Sequence, residues 1–189
     1  MSNNINRLKG IKLFLFDMDG TLYLGDRLYD FTPRLLEHIK ESGGRYLFMT
    51  NNSSKSVKAY IEKLERLGIK AEYGDFITSS QATAYYLKKH HSGCRLYVCG
   101  TESLKTELRE NGFTITEDTE STDCIVMGFD TELTFKKLHD VSYMLCTRKD
   151  LPYIATIPTT CVPPSSEAYP IAEAYAICFT TYRADVPFL

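Results

Sequence analysis

The sequence predicts an α/β chain on a mostly parallel sheet, and three observations predict it. Short apolar runs alternate with amphipathic stretches of helical period, the loops between them are short, and glycines stand where the periodic stretches end. Residues 11–16 read as a buried strand, being short, apolar apart from Lys12 and aromatic-rich. Thr32 and Pro33 supply an N-cap and an N1 proline for a helix carrying Leu35, Leu36 and Ile39, which Gly43-Gly44 stops. Residues 45–49 form a second strand ending at Thr50. A helix follows from about Ser54, with Val57, Tyr60, Ile61, Leu64 and Leu67 on one face and Gly68 as its C-cap. Ser79 or Ser80 caps a third helix running to about His91. Beyond it come a strand over 96–99, a helix over 101–111 stopped by Gly112, a strand over 122–127 and a helix over 133–146. No internal repeat or low-complexity segment interrupts this order, and the chain divides near residues 75–80.

Composition narrows the function classes. The chain has 189 residues, 43% of them apolar and 24% charged, with a formal net charge of −2. That is ordinary globular composition, sufficient for a buried core and without the basic surplus that nucleic acid or an anionic membrane would select. The apolar run 13–16 is too short for a signal core or a membrane span, and Asp17 ends it. Six cysteines form no Cys-x-x-Cys pair and no metal spacing with the four histidines, so they read as reduced thiols of a cytoplasmic protein. His90-His91 reads as a cationic helix end.

Parallel α/β sheets bind ligands beyond the carboxyl ends of their strands, and two such ends carry chemistry. The first, Asp17-Met18-Asp19-Gly20-Thr21, sets two carboxylates two residues apart just past an apolar strand. A strand continuing regularly would present both on one face, and Gly20 permits the sharp turn that leaves the sheet. Neighbouring carboxylates repel unless a cation or shared proton compensates. Oxygen ligands of this kind suit Mg²⁺, and two such acids can divide the work of nucleophile and general acid/base. At the second end, Thr50 to Ser54, hydroxyl, amide and backbone N–H groups leading into a helix make a phosphate cradle, with Ser53 and Ser54 capping that helix and Lys55 in solvent. Tyr23 and Leu24 read as core or as lining of a substrate entrance.

These residues carry a resemblance. Phe14-Leu15-Phe16-Asp17-Met18-Asp19-Gly20-Thr21-Leu22 resembles the first motif of the haloacid dehalogenase superfamily of phosphatases. Met49-Thr50-Asn51-Asn52-Ser53-Ser54-Lys55 is similar to the second motif of its p-nitrophenyl phosphatase and ribonucleotide monophosphatase (NagD-like) branch, which carries a C2-type cap. The resemblance implies a Rossmann-like, doubly wound parallel core sheet over residues 1–78 and a partial α/β cap over 79–156. It implies a phosphatase acting on small phosphate monoesters, such as nucleotide, sugar or p-nitrophenyl phosphates. Asp17 would be the nucleophile, forming an aspartyl-phosphate, and Asp19 would protonate the leaving group and then activate water. Mg²⁺ would sit on the Asp17 carboxylate and the Asp19 main-chain carbonyl, and Thr50 and the Asn51 main chain would hold the phosphate.

The last stretch departs from that pattern. Six of the seven prolines fall in the last 38 residues, and all eleven glycines lie at or before Gly128. After Leu151 there is no lysine to serve as the family's third motif, and no Gly-Asp pair to serve as its fourth. Residues 157–189 are therefore expected to be an aberrant, poorly ordered tail, and back-translation from Ile157 is compatible with a neighbouring frame that reads like the family. Impaired turnover is the corresponding expectation. Two non-catalytic readings stand beside the enzyme: a receiver-like domain binding Mg²⁺ and phosphate, and an interaction fragment that keeps the motifs as relics.

Overall fold

The structure, a computed structural model, describes residues 10–156, which fall into two compact units. The expectations for the tail, 157–189, lie outside the described residues.

The first unit holds residues 10–50 and 57–77. Strand β1 (Leu13–Asp17) is followed by a small antiparallel hairpin, β2 (Tyr23–Leu24) and β3 (Arg27–Leu28), turning at Gly25-Asp26. Helix α1 (Thr32–Glu41), strand β4 (Arg45–Thr50), helix α2 (Val57–Arg66), a 3₁₀ turn and strand β5 (Phe76–Thr78) complete it. The sheet order is β1-β4-β5, and β1 and β4 pair in parallel with Asp17 opposite Met49. One sheet face is packed: Phe14, Phe16, Tyr46, Phe48 and Phe76 lie in a cluster with Leu36 and Ile39 of α1 and Val57, Tyr60 and Leu64 of α2. Phe16 and Tyr46, Tyr46 and Phe48, and Phe48 and Phe76 meet in tilted pairs, as their quadrupoles favour. Among the described residues nothing covers the opposite face, where Leu13 and Leu15 are each 51% exposed and Met49 41%. The expectation of a buried first strand is thus corrected for the described residues: among them β1 stands at the end of its sheet, and only its even-numbered side chains are packed.

Three start signals are also corrected. Thr32 lies inside the first turn of α1, and its hydroxyl donates to the Leu22 carbonyl at 2.7 Å, tying the helix to the chain before the hairpin. Helix α2 begins at Val57, because residues 51–56 belong to the second unit. The N-cap of α3 (Ser79–His90) is Thr78, in a capping box with Gln81, so Ser79 and Ser80 are already helical.

The second unit comprises residues 51–56 and 78–156. After α3 come β6 (Arg95–Cys99), α4 (Glu102–Glu110), β7 (Thr114–Ile115), β8 (Cys124–Met127), α5 (Phe135–Thr147) and β9 (Tyr153–Ala155). The sheet runs β7-β6-β8-β9 with every pairing parallel. Both of its faces are covered, which is why β8 reads as an unbroken apolar run. Leu96, Val98, Cys124, Val126 and Ile154 pack with Ala84 and Leu87 of α3 and Leu104 and Leu108 of α4. Tyr97, Cys99, Ile125, Met127 and Tyr153 pack with Val141, Met144 and Leu145 of α5. Threonines cap both later helices: Thr101 accepts from the Leu104 N–H and Thr134 from the Lys137 N–H. No helix among the described residues is long and apolar enough to cross a membrane. Cys94, Cys99, Cys124 and Cys146 are free thiols.

Candidate active site

Strand pairing brings the two chemical strand ends of the first unit side by side. Because β1 and β4 are adjacent and parallel with Asp17 opposite Met49, Thr50 stands one residue past the level of Asp17 on the neighbouring strand. Asp17 is the last residue of β1 and exposed; Met18, next to it, is fully buried. The Met18 carbonyl accepts the N–H groups of Thr21 at 3.2 Å and Leu22 at 3.0 Å, so the chain leaves the sheet in a single helical turn. Gly20 makes that turn with φ +83°, a conformation L side chains rarely adopt, and its N–H donates to the Tyr23 carbonyl at 2.8 Å. The ladder therefore stops at Asp17, although exposure still alternates over Asp17, Met18 and Asp19 and leaves both carboxylates accessible.

Each carboxylate has a partner that the sequence reading did not assign. The Thr21 hydroxyl donates to Asp17 Oδ2 at 3.1 Å. Lys63 of α2 reaches Asp19 Oδ1 with its ammonium at 3.3 Å, and the same ammonium lies 4.0 Å above the centre of the Tyr23 ring. Tyr60, one turn earlier on α2, places its hydroxyl 3.5 Å from the Thr50 hydroxyl. Burial, chiefly, pushes the Tyr60 phenol up to about 12, with the hydrogen bond to Thr50 opposing it. The Tyr23 phenol is raised further, first by burial and then by the Asp19 charge. Neither tyrosine is an acid or base near neutrality. A sequence signal for this helix existed: Tyr60 and Lys63 stand at i and i+3, with Lys63 bordering the apolar stripe beside Leu64.

The remaining anticipated residues are distributed as follows. Thr50 is buried at the end of β4. Asn51 is exposed and opens the second unit, where its carbonyl accepts the Ser79 hydroxyl at 3.0 Å. Asn52 closes a local turn by accepting the N–H and hydroxyl of Ser54 at 2.9 and 2.7 Å. Ser53 is fully buried, and instead of capping α2 its hydroxyl accepts the Phe129 N–H at 2.9 Å and lies 3.0 Å from the Thr156 hydroxyl. Lys55 is exposed, as expected. Tyr23 is core, whereas Leu24 is 63% exposed. Among the described residues no three His, Cys, Asp or Glu side chains form a metal cage. What Asp17 and Asp19 offer is a pair of hard oxygen donors, which fits Mg²⁺, an ion commonly held by one or two carboxylates with water and phosphate oxygens completing its shell.

The chain is similar to known proteins in sequence and fold. The sequence profile of the haloacid dehalogenase-like hydrolases matches residues 14–114. An acid sugar phosphatase of Staphylococcus haemolyticus is 33% identical over 156 residues, which cover 82% of this chain and 58% of that protein. The chain thus spans under two thirds of the length of that relative. The crystal structure of a 4-nitrophenylphosphatase from Thermotoga maritima superposes with a TM-score of 0.83 at 34% identity, covering 94% of this chain and 66% of the other. A glycerol phosphate phosphatase from Mycobacterium tuberculosis, solved in complex with magnesium, shares the fold with a TM-score of 0.78 at 24% identity, over 94% of this chain and 53% of the other.

Proposed function

The chain belongs to the haloacid dehalogenase-like hydrolases, and we propose that it hydrolyses small phosphate monoesters through an aspartyl-phosphate on Asp17. The observation that carries this reading is the register of β1 against β4, which sets the Asp17-Met18-Asp19-Gly20 turn beside Thr50 at neighbouring strand ends. The names of its relatives support the substrate class: an acid sugar phosphatase and a 4-nitrophenylphosphatase both act on small phosphate esters.

In the first step an Asp17 carboxylate oxygen attacks phosphorus, the bond from phosphorus to the ester oxygen breaks, and Asp19 gives that oxygen its proton. In the second, Asp19 takes a proton from water as the water attacks the aspartyl-phosphate, releasing inorganic phosphate and restoring Asp17. The Thr50 hydroxyl and the peptide joining Thr50 to Asn51 supply donors to the phosphate oxygens. Thr21 orients Asp17 through Oδ2. The Asp17 carboxylate and the Asp19 main-chain carbonyl would hold Mg²⁺, which supplies charge neutralisation for the approach of a carboxylate to a phosphate dianion. On this reading the second unit is the cap, which governs substrate choice.

The test is hydrolysis of p-nitrophenyl phosphate with Mg²⁺ by this chain and by Asp17→Asn. Release of p-nitrophenol by the unmodified chain and none above background by the variant is the expected result; equal rates would overturn the proposal.

A further inference from the structure

Lys63 has no place in the chemistry above, yet its side chain is nearly buried. A lysine on a surface helix ordinarily extends its ammonium into water. Here the side chain is only 13% exposed, because the ammonium lies over the face of the Tyr23 ring at 4.0 Å, and that ring is itself fully buried. Such a cation over an aromatic face is held electrostatically by the ring quadrupole. From that position it meets Asp19 Oδ1 at 3.3 Å, on a carboxylate whose own side chain is 55% exposed. An ion pair with one exposed partner contributes little to stability, so its consequence lies in geometry. Asp19 sits on a one-turn exit from the sheet, with little packing to choose its rotamer. Lys63 has surrendered its freedom to the Tyr23 ring and can fix one oxygen of Asp19.

We propose that Lys63 is a positioning residue: held over the Tyr23 ring, it orients the Asp19 carboxylate for proton transfer to the leaving oxygen. The inference rests on the phosphatase reading. It separates from a merely structural role through the leaving group. p-Nitrophenolate departs without needing a proton, whereas the alkoxide of an alkyl phosphate such as glycerol phosphate does. A misplaced Asp19 therefore costs more on the alkyl ester.

The experiment measures kcat/KM, which reports steps up to the first phosphoryl transfer, for both esters with the unmodified chain, Lys63→Met, Lys63→Arg and Asp17→Asn. Lys63→Met is expected to lose at least about tenfold more on glycerol phosphate than on p-nitrophenyl phosphate, a fraction of the ~10²–10⁴ that a positioned acid contributes. Lys63→Arg, which keeps the cation, is expected to recover most of that difference. Equal losses on the two esters, or no loss, would overturn the proposal while leaving the phosphatase reading intact. Absence of Asp17-dependent turnover in the unmodified chain would overturn the phosphatase reading and this inference together. Should Lys63→Met not fold, Lys63→Gln makes the same comparison with length and polarity retained.

Discussion

Asp17 and Asp19 are two residues apart in sequence, yet the structure gives them different surroundings. Asp17 accepts from a hydroxyl of its own turn, while Asp19 meets a cation delivered by a helix 44 residues away. Tyr23 completes the arrangement as the surface on which Lys63 rests. Its hydroxyl is buried close to the Asp19 carboxylate without a hydrogen bond of ordinary geometry among the described residues, so the ring is what the site uses. Tyr23→Phe removes an unsatisfied buried hydroxyl and keeps the aromatic face. It is expected to leave stability unchanged or raise it by about 1 kcal/mol, measured by urea unfolding, with activity toward p-nitrophenyl phosphate retained. A loss above that size would show that the hydroxyl is bonded in solution.

Helix α2 does more than close a crossover. Its inner face packs Val57, Tyr60 and Leu64 on the sheet, and one residue beyond that face Lys63 reaches the end of β1 while Tyr60 reaches the end of β4. In the second unit, the segment 51–56 is bound by hydroxyls: Thr101 donates to the Ser54 carbonyl at 3.2 Å, and Ser53 takes the Phe129 N–H. That docking depends on two glycines at neighbouring strand ends. A Cβ at Gly128 would stand 2.5 Å from Leu104 Cδ2 and 3.2 Å from the Ser53 hydroxyl, and one at Gly100 would stand 2.7 Å from the same leucine carbon. Leu104 is 1% exposed and packed among Val98, Leu108 and Val126, so moving its methyl aside disturbs that core. Gly128→Ala is therefore expected to destabilise the second unit by about 1–3 kcal/mol, read as a lower denaturation midpoint, with Leu104→Ala in the same chain relieving part of the clash. An unchanged midpoint for Gly128→Ala alone would refute the overpacking.

Among the described residues, two buried thiols and several buried phenols shift in one direction. Burial pushes the Cys99 and Cys124 thiols up to about 12 and the Tyr60 phenol to about 12, and it raises Tyr97 and Tyr153 as well. Each is neutral when protonated, so the folded state holds its proton more tightly than the unfolded one. The stability this contributes is complete below the unfolded values, near 9 for cysteine and 10 for tyrosine, and is lost as pH rises toward 12. Stability measured by denaturant unfolding is thus expected to fall steadily between pH 9 and pH 12. Cys99→Val combined with Cys124→Val should flatten the first part of that fall; a flat profile in the unmodified chain would contradict the burial assigned to these groups.

Much of this protein was legible in one dimension. The apolar run ending in Asp17 and the periodic stripe of α2 were sufficient for the α/β class, because strand alternation, helical period and a glycine turn are local properties, while the family was legible through the resemblance of residues 14–22 and 49–55 to known motifs. Helix starts were less legible: Thr32, Ser54 and Ser79 all look like caps, and only the fold decides which hydroxyl is free to cap and which is spent on a distant carbonyl or N–H. Local pattern also could not show that only one face of β1 is packed among the described residues, since an apolar run reads the same whether one face or both are covered. The partners of the site were decided by tertiary structure alone. The parallel register that sets Thr50 beside Asp17, and the α2 packing that carries Lys63 to Asp19 over the Tyr23 ring, join residues dozens of positions apart. Such contacts follow from which surfaces bury together, and no window of sequence contains them.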